Sequence, residues 1–378
     1  MAAGLKRAQW GNAPWVIDFH PERREVPKEV DYAVAGGGFT GLAAAAWLKH
    51  VAPARSVALF ESDSIGAGSS GQTGGLVLPE TAAGDLPGLG DVLGGFSHIL
   101  NELAVRCDLN LPGVWEIGRE NGRADSPISW SDSGTLRVVR ETAGGTLDPG
   151  KMVSGLARAA MEGGAMIFES ASVESLRTGD NAELEVRGRT VRARCVLLAT
   201  NAHSLELSGL AGRAQPKFTL AVMTEPLKRE QLEGLGLASG KPFYTVDLPY
   251  FWGRLAFGNH AVFGSGLVHL NDWRELLDIN IEAAEAAELM GKLERRVREL
   301  HPVLKGVRIT HRWGGPILIA DKWQPVFMRH PKNKNAMVLG AYSGHGVALS
   351  VYLGRWAAEA MLGKRELPEW NVAESAAD

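Results

Sequence analysis

Residues 30–61 read VDYAVAGGGFTGLAAAAWLKHVAPARSVALFE. An apolar strand, Val30 to Ala35, runs directly into Gly36-x-Gly38-x-x-Gly41. A helix of small residues follows, then a second apolar strand, Val57 to Phe60, which ends in Glu61. Gly36 permits the tight turn, Gly38 lets a pyrophosphate approach the backbone, and Gly41 lets helix and strand pack closely. The helix N-terminus offers free N–H groups and a partial positive charge to phosphates. Glu61 stands where a carboxylate accepts from ribose hydroxyls. An ordinary glycine-rich turn requires neither the distal acid nor this spacing, so the stretch reads as a dinucleotide-binding unit.

The rest of the chain sets the context. Its 378 residues suffice for two domains or one large composite. A net charge of −3, with no Lys/Arg block, argues against nucleic acid as partner. The N-terminal MAAGLKRAQWGNAPW has no apolar core of a secretory signal. The longest apolar run, Gly41 to Leu48, is too short to span a bilayer, so a cytoplasmic protein without membrane contact is expected. Cys107 and Cys195 are the only cysteines and no HExxH-type pair occurs, which leaves no disulfide framework and no expected metal.

Periodicity places helices at 91–107, 149–163, 278–300 and 347–362, and strands at 166–168, 194–199 and 338–340. Residues 114–139 and 216–268 alternate short strands and turns, as an antiparallel sheet does. The expected fold is α/β: a Rossmann-type domain assembled from 28–80, 147–215 and 335–366, with an inserted antiparallel-sheet substrate domain at 81–146 and 216–334. Residues 1–27 form an N-terminal extension.

Two further glycine-rich segments discriminate between dinucleotides. After Glu61 comes SDSIGAGSSGQTGGLVLPE, and near the C-terminus stands LGAYSGHGVALSVYLGRWAAEAMLG. Two backbone-rich segments far apart in sequence suit a flat cofactor that extends past its pyrophosphate; a nicotinamide dehydrogenase has no use for the first.

These motifs, with Ser133–Leu136, Leu147–Gly164, Val196–Ser204 and Trp313–Pro325, make the chain resemble the FAD-dependent D-amino-acid-oxidase superfamily, in particular its glycine oxidase, sarcosine oxidase and gamma-glutamylputrescine oxidase-like members. The resemblance implies a two-domain flavoprotein that oxidises a C–N bond. It also implies that Gly36, Gly38, Phe39, Thr40 and Gly41 hold the FAD pyrophosphate, and Glu61 with Ser62 the adenosine ribose. Ser69, Ser70, Gln72, Thr73, Gly74 and Gly75 would line the inner part of FAD. Val173 would meet adenine, Thr200 and Asn201 would follow a cofactor-side strand, and Gly344, His345, Gly346 and Val347 would cover the pyrimidine edge of the flavin. His345, Tyr250, Trp252 and Arg254 are the candidate catalytic or substrate-side residues. His260, His269, His311 and Arg312 are further polar candidates.

Three departures from the family pattern shape the expectation. The loop SSGQTGG lacks the histidine, and the C-terminal part lacks the cysteine, through which covalent members attach flavin, so FAD is expected to be non-covalent. Ile317 stands where glycine-oxidase-like members keep a carboxylate-clamping arginine. Arg254 and Arg312 are the candidates to replace it. Arg140 to Thr146 reads as a short turn where relatives carry a longer helical cover. The resemblance implies hydride transfer from a neutral amine to flavin N5, hydrolysis of the imine, and reoxidation by oxygen or another acceptor. Two alternatives stay open: the flavin subunit of a hetero-oligomeric amine dehydrogenase, whose partner subunit supplies the missing cover, and a nicotinamide-dependent dehydrogenase.

Overall fold

In a computed structural model of the chain, residues 9–370 are described. Eighteen strands occur in order. The first nine are β1 (Glu29–Ala35), β2 (Val57–Phe60), β3 (Leu76–Val77), β4 (Val114–Gly118), β5 (Trp130–Ser131), β6 (Thr135–Thr142), β7 (Gly145–Thr146), β8 (Met166–Phe168) and β9 (Val173–Arg177). Then follow β10 (Ala182–Val186), β11 (Arg189–Leu198), β12 (Ala214–Pro226), β13 (Phe243–Thr245), β14 (Trp252–Leu255), β15 (His260–His269), β16 (Ile309–Ala320), β17 (Val326–His330) and β18 (Asn333–Gly340).

The opening stretch folds as β1, a helix over Phe39–Val51, and β2, with β1 and β2 parallel. β1 lies between β2 and β11 in the order β17-β18-β11-β1-β2-β8, while β10 folds back against β11 and β9 pairs with β10. β17 pairs antiparallel with β18 as the edge of this first sheet, although residues 216–334 were expected on the substrate side. A tight return at Pro331–Lys332 makes the two strands one hairpin. The Phe39–Val51 helix is buried almost all round, which its alanines permit. Gly354 of the helix Gly346–Met361 lets that helix approach so closely that an added Cβ would lie 2.7 Å from the Thr40 carbonyl. Pro149 opens the Pro149–Glu162 helix, capped by Asp148, whose side chain accepts from Lys151 N–H.

The second sheet runs β16-β12-β15-β14-β13-β4-β6-β5. It is antiparallel except where β13 and β4 run side by side in parallel. Arg140 lies inside β6 rather than in a turn, so the reversal toward β7 is shorter than the sequence suggested. The helix expected from 278 begins at Ala284, because Ile281 is buried and its N–H donates to Gln9 O.

Residues 9–28, which precede β1, are not an appendage. Trp10 and Trp15 are buried, Gly11 bridges to Trp313, and Trp15 Nε1 donates to Thr73 O at 2.8 Å. A buried charge cluster braces the opposite flank: Asp132 accepts from both Arg119 and Arg296 at 2.6 Å. Arg296 also donates to Tyr250 O and Pro249 O, both at 2.8 Å, and covers the Phe251 ring at 4.4 Å. The loop 246–251 is thereby fixed. No helix of the described residues is long and apolar enough to cross a membrane, and none of their His/Cys/Asp/Glu groupings could hold a metal ion.

Candidate active site

The C-terminal ends of β1, β2, β11 and β18 converge, as the parallel topology requires of a cofactor crevice. From there a cavity of about 770 Å³ extends along the inner face of the second sheet. Its lining takes in the Gly36–Phe39 turn, Glu61 and Val173, then Ser69, Ser70 and Gln72–Gly74, and also Trp252, Ile317 and Gly344–Val347.

The three glycines of the opening motif differ in role. Gly36 has φ +109°, a value that favours glycine. Gly38 faces the cavity, and an added Cβ would meet only the Ser70 hydroxyl. Gly41 is absent from the cavity lining because it faces β1, where a Cβ would lie 2.0 Å from Gly36 O. Phe39 N–H donates to Ser70 Oγ at 2.9 Å. Among the described residues the N–H groups of Thr40 and Gly41 have no recorded partner at this helix start, which is where phosphate oxygens bind. The Thr40 hydroxyl is engaged by Tyr342 at 2.7 Å, so its side chain serves the core. Gly75 likewise turns away from the cavity, against Leu147 O.

Glu61 accepts from Gly37 N–H at 2.7 Å, Asp63 N–H at 2.9 Å and the Ser62 hydroxyl at 3.0 Å. Burial pushes its carboxyl up against these bonds. A carboxylate has further lone pairs, so it can brace the turn and still accept from a ribose. Glu61→Ala removes charge-assisted bonds worth about 1.5–3 kcal/mol. FAD titration of the apoprotein is expected to show affinity lowered by on the order of tenfold to a hundredfold. Unchanged occupancy on dilution would place Glu61 outside the site.

Asn201, at φ +46°, ties three segments together. Its Nδ2 donates to Ser69 Oγ at 3.1 Å and its Oδ1 accepts from Ala341 N–H at 3.0 Å, while Ser69 Oγ donates to Pro316 O at 2.7 Å. Gln72 Oε1, Thr200 Oγ1 and His203 Nε2 are buried on the cavity wall without a protein partner. Orphaned polar atoms of this kind fit a polar ligand. His203 was not foreseen. Burial pulls it down to about 4, so it is neutral at neutral pH. His345 is also lowered by burial; its Nδ1 lies 3.4 Å from Ser343 O and its side chain does not cap the last helix.

Tyr250 and Trp252 reach the cavity, Tyr250 half-exposed at the mouth and Trp252 inside. Trp252 is held between two glycines: a Cβ on Gly74 or Gly264 would come within 2.2 Å of its ring. Arg254 does not reach the cavity. It lies on the same strand face as Trp252 but is covered by the Trp15 ring at 4.9 Å, is 4 % exposed, and burial lowers it to about 10. Arg312 pairs with Glu294, and His260, His269 and His311 also lie off the wall. Neither candidate arginine therefore replaces the missing clamp. The arginine on the wall is Arg140, joined by Glu80, Glu116 and Tyr244, none of which the sequence reading selected. A glutamate inside the apolar strand VWEIG was the available signal.

Cys107 and Cys195 lie away from the cavity, and burial pushes them up to about 12 and about 11. Both stay thiols at neutral pH.

Residues 31–360 match the DAO family model, FAD dependent oxidoreductase. The gamma-glutamylputrescine oxidoreductase of Escherichia coli (strain K12) is 26 % identical over 89 % of this chain and 84 % of its own length. The probable oxidoreductase OrdL of Rhizobium meliloti (strain 1021) is 28 % identical over 93 % of this chain and 88 % of its own. Among solved structures, glycine oxidase from Geobacillus kaustophilus superposes with a TM-score of 0.68 at 18 % identity, covering 90 % of this chain and 96 % of that one. L-proline dehydrogenase from P. horikoshii superposes with a TM-score of 0.70 at 18 % identity, covering 92 % and 97 %.

Proposed function

The chain belongs to the DAO family of FAD-dependent oxidoreductases, and we propose that it oxidises the C–N bond of an amine or amino-acid derivative larger than a simple amino acid. The observation that carries this reading is Ile317. Its side chain lines the cavity beside Gly344, where an added Cβ would lie 3.3 Å from Ile317 Cδ1. An isoleucine side chain at this point of the lining gives a substrate carboxylate no ionic partner. The name of the Escherichia coli relative, gamma-glutamylputrescine oxidoreductase, fits an amine of this kind.

Bound FAD supplies a two-electron acceptor for the C–N oxidation. In this reading the Gly36–Gly41 turn and Glu61 hold the pyrophosphate and ribose, and Asn201 fixes the loops beside the ring system. Trp252, Trp313 and Ile317 form an apolar wall that excludes water and favours the unprotonated amine over its ammonium form. Burial keeps His203 and His345 neutral, so neither places a positive charge against an incoming amine. Orientation and a low-polarity surround are the protein's contribution, with no dedicated base required. Oxygen is the proposed final acceptor.

A second reading, in which electrons pass to a partner subunit, draws on the exposed apolar lip of the mouth. Val246, Tyr250 and Trp323 on the lining are exposed, and Leu248, in the same loop as Val246 and Tyr250, is 71 % exposed. Steady oxygen consumption with amine supports the first reading; reduction without reoxidation by oxygen supports the second.

The substrate class is tested by anaerobic flavin reduction. A buried carboxylate left unpaired costs on the order of several kcal/mol, so glycine, sarcosine and D-alanine are expected to reduce the flavin far more slowly than long-chain or N-alkyl amines. Fast reduction by the small amino acids alone would overturn this assignment.

A further inference from the structure

The register of the second sheet aligns one row of side chains across four strands. Trp252 on β14 pairs with Tyr244 on β13, Tyr244 with Glu116 on β4, and Glu116 with Arg140 on β6. All four face the cavity. The row thus changes from an aromatic ring on β14 to charged groups on β4, two strands away, about 10 Å at the usual strand spacing.

Glu116 is 4 % exposed. Its Oε2 accepts from Arg140 Nε at 2.7 Å, while its Oε1 is buried with no partner. Arg140 projects outward with its side chain 65 % exposed, so solvent screens much of its charge. The Tyr244 hydroxyl lies 3.3 Å from Glu80 Oε1 and has a single proton to give. Burial, together with Glu116 and Glu80, pushes the phenol up, so it stays a donor and adds no charge. Glu80 forms no ion pair among the described residues. Two carboxylates therefore face one peripheral guanidinium, and one desolvated carboxylate oxygen on the cavity wall is left without a protein partner.

We propose that Glu116 and Glu80, with Tyr244, form a subsite for a second cationic group of the substrate, several carbons from the reacting nitrogen. This inference rests on the amine-oxidation reading above and narrows it to amines that carry a remote ammonium or equivalent cation. An ammonium there would give one N–H to Glu116 Oε1 and another to Glu80, completing what Arg140 and Tyr244 leave open. Trp252 and the apolar wall would hold the chain between the two nitrogens.

The test is calorimetric binding to the FAD-loaded full-length enzyme. The probe is a diamine whose nitrogen-bearing carbons are fully substituted, so neither carries a hydrogen to lose, compared with the matching monoamine. The diamine is expected to bind on the order of tenfold to a hundredfold tighter. Glu116→Gln should reduce that preference to near unity, and Glu80→Gln, which breaks no ion pair, should reduce it in part. Equal affinity of the two probes, or a preference that survives both substitutions, overturns the subsite. Failure of every oxidisable amine to reduce the flavin, with the diamine preference intact, would instead remove the amine-oxidation reading and leave a cation site.

Discussion

Gly41→Val is expected to yield a destabilised protein that no longer retains FAD. The new Cβ would stand 2.0 Å from Gly36 O, which is backbone, and 3.1 Å from Val34 Cγ1, a methyl packed in the core. Helix and turn must separate, at a cost of about 3 kcal/mol or more, which for a chain of 378 residues corresponds to a fall in Tm of about 4 °C or more. Gly38→Ala provides the contrast. Gly38 has φ −84°, and its Cβ would meet only Ser70 Oγ, which can turn aside at the loss of its hydrogen bond from Phe39 N–H, about 1 kcal/mol. That variant should melt near the parent but bind FAD weakly, because the methyl occupies the face offered to the cofactor. Thermal melts and FAD titration separate the two. Equal Tm losses, or a yellow and fully stable Gly41→Val protein, would contradict the division of labour within the turn.

Asn201→Ala is expected to weaken FAD binding about tenfold to a hundredfold while lowering stability. It removes two hydrogen bonds at about 1 kcal/mol each. It also leaves alanine in a left-handed conformation costing roughly 1–2 kcal/mol. The bonds lost are those that join the Ser69 loop to the Ala341 loop across the end of β11. Asn201→Gly relieves the backbone strain but not the lost bonds, so it should recover stability more than affinity. If both variants melt low yet bind FAD as the parent does, Asn201 is a structural turn residue and no organiser of the site.

What the sequence made legible was local. The β1-turn-helix-β2 unit follows from glycine spacing and two short apolar runs within thirty-odd residues, and such signals survive without knowledge of the rest of the chain. Asn201 was placed at the cofactor side by the resemblance, but its bridging bonds reach residues 69 and 341 and could not be read from its neighbours. The row Trp252–Tyr244–Glu116–Arg140 depends on the register between β13 and β4, which lie more than a hundred residues apart, and periodicity does not specify that pairing. Arg254 misled for the same reason: the strand face was legible, but the cover supplied by Trp15 from an N-terminal stretch of no regular structure was not. The loop 246–251 offered aromatic residues without showing which of them Arg296 would bury. Phe251 became core, while Tyr250 was left at the mouth.

The central claim is that this cavity couples oxidation of an amine C–N bond to reduction of bound FAD. It is tested most directly by a single anaerobic turnover, in which the FAD-loaded protein is mixed with an equimolar long-chain diamine while the flavin spectrum and the products are followed. The account predicts bleaching of the flavin together with an aldehyde or ketone and a released amine or ammonia in the same molar amount. A flavin that stays oxidised with every amine and amino acid offered, but is bleached by a nicotinamide or by a substrate without a C–N bond, would contradict it.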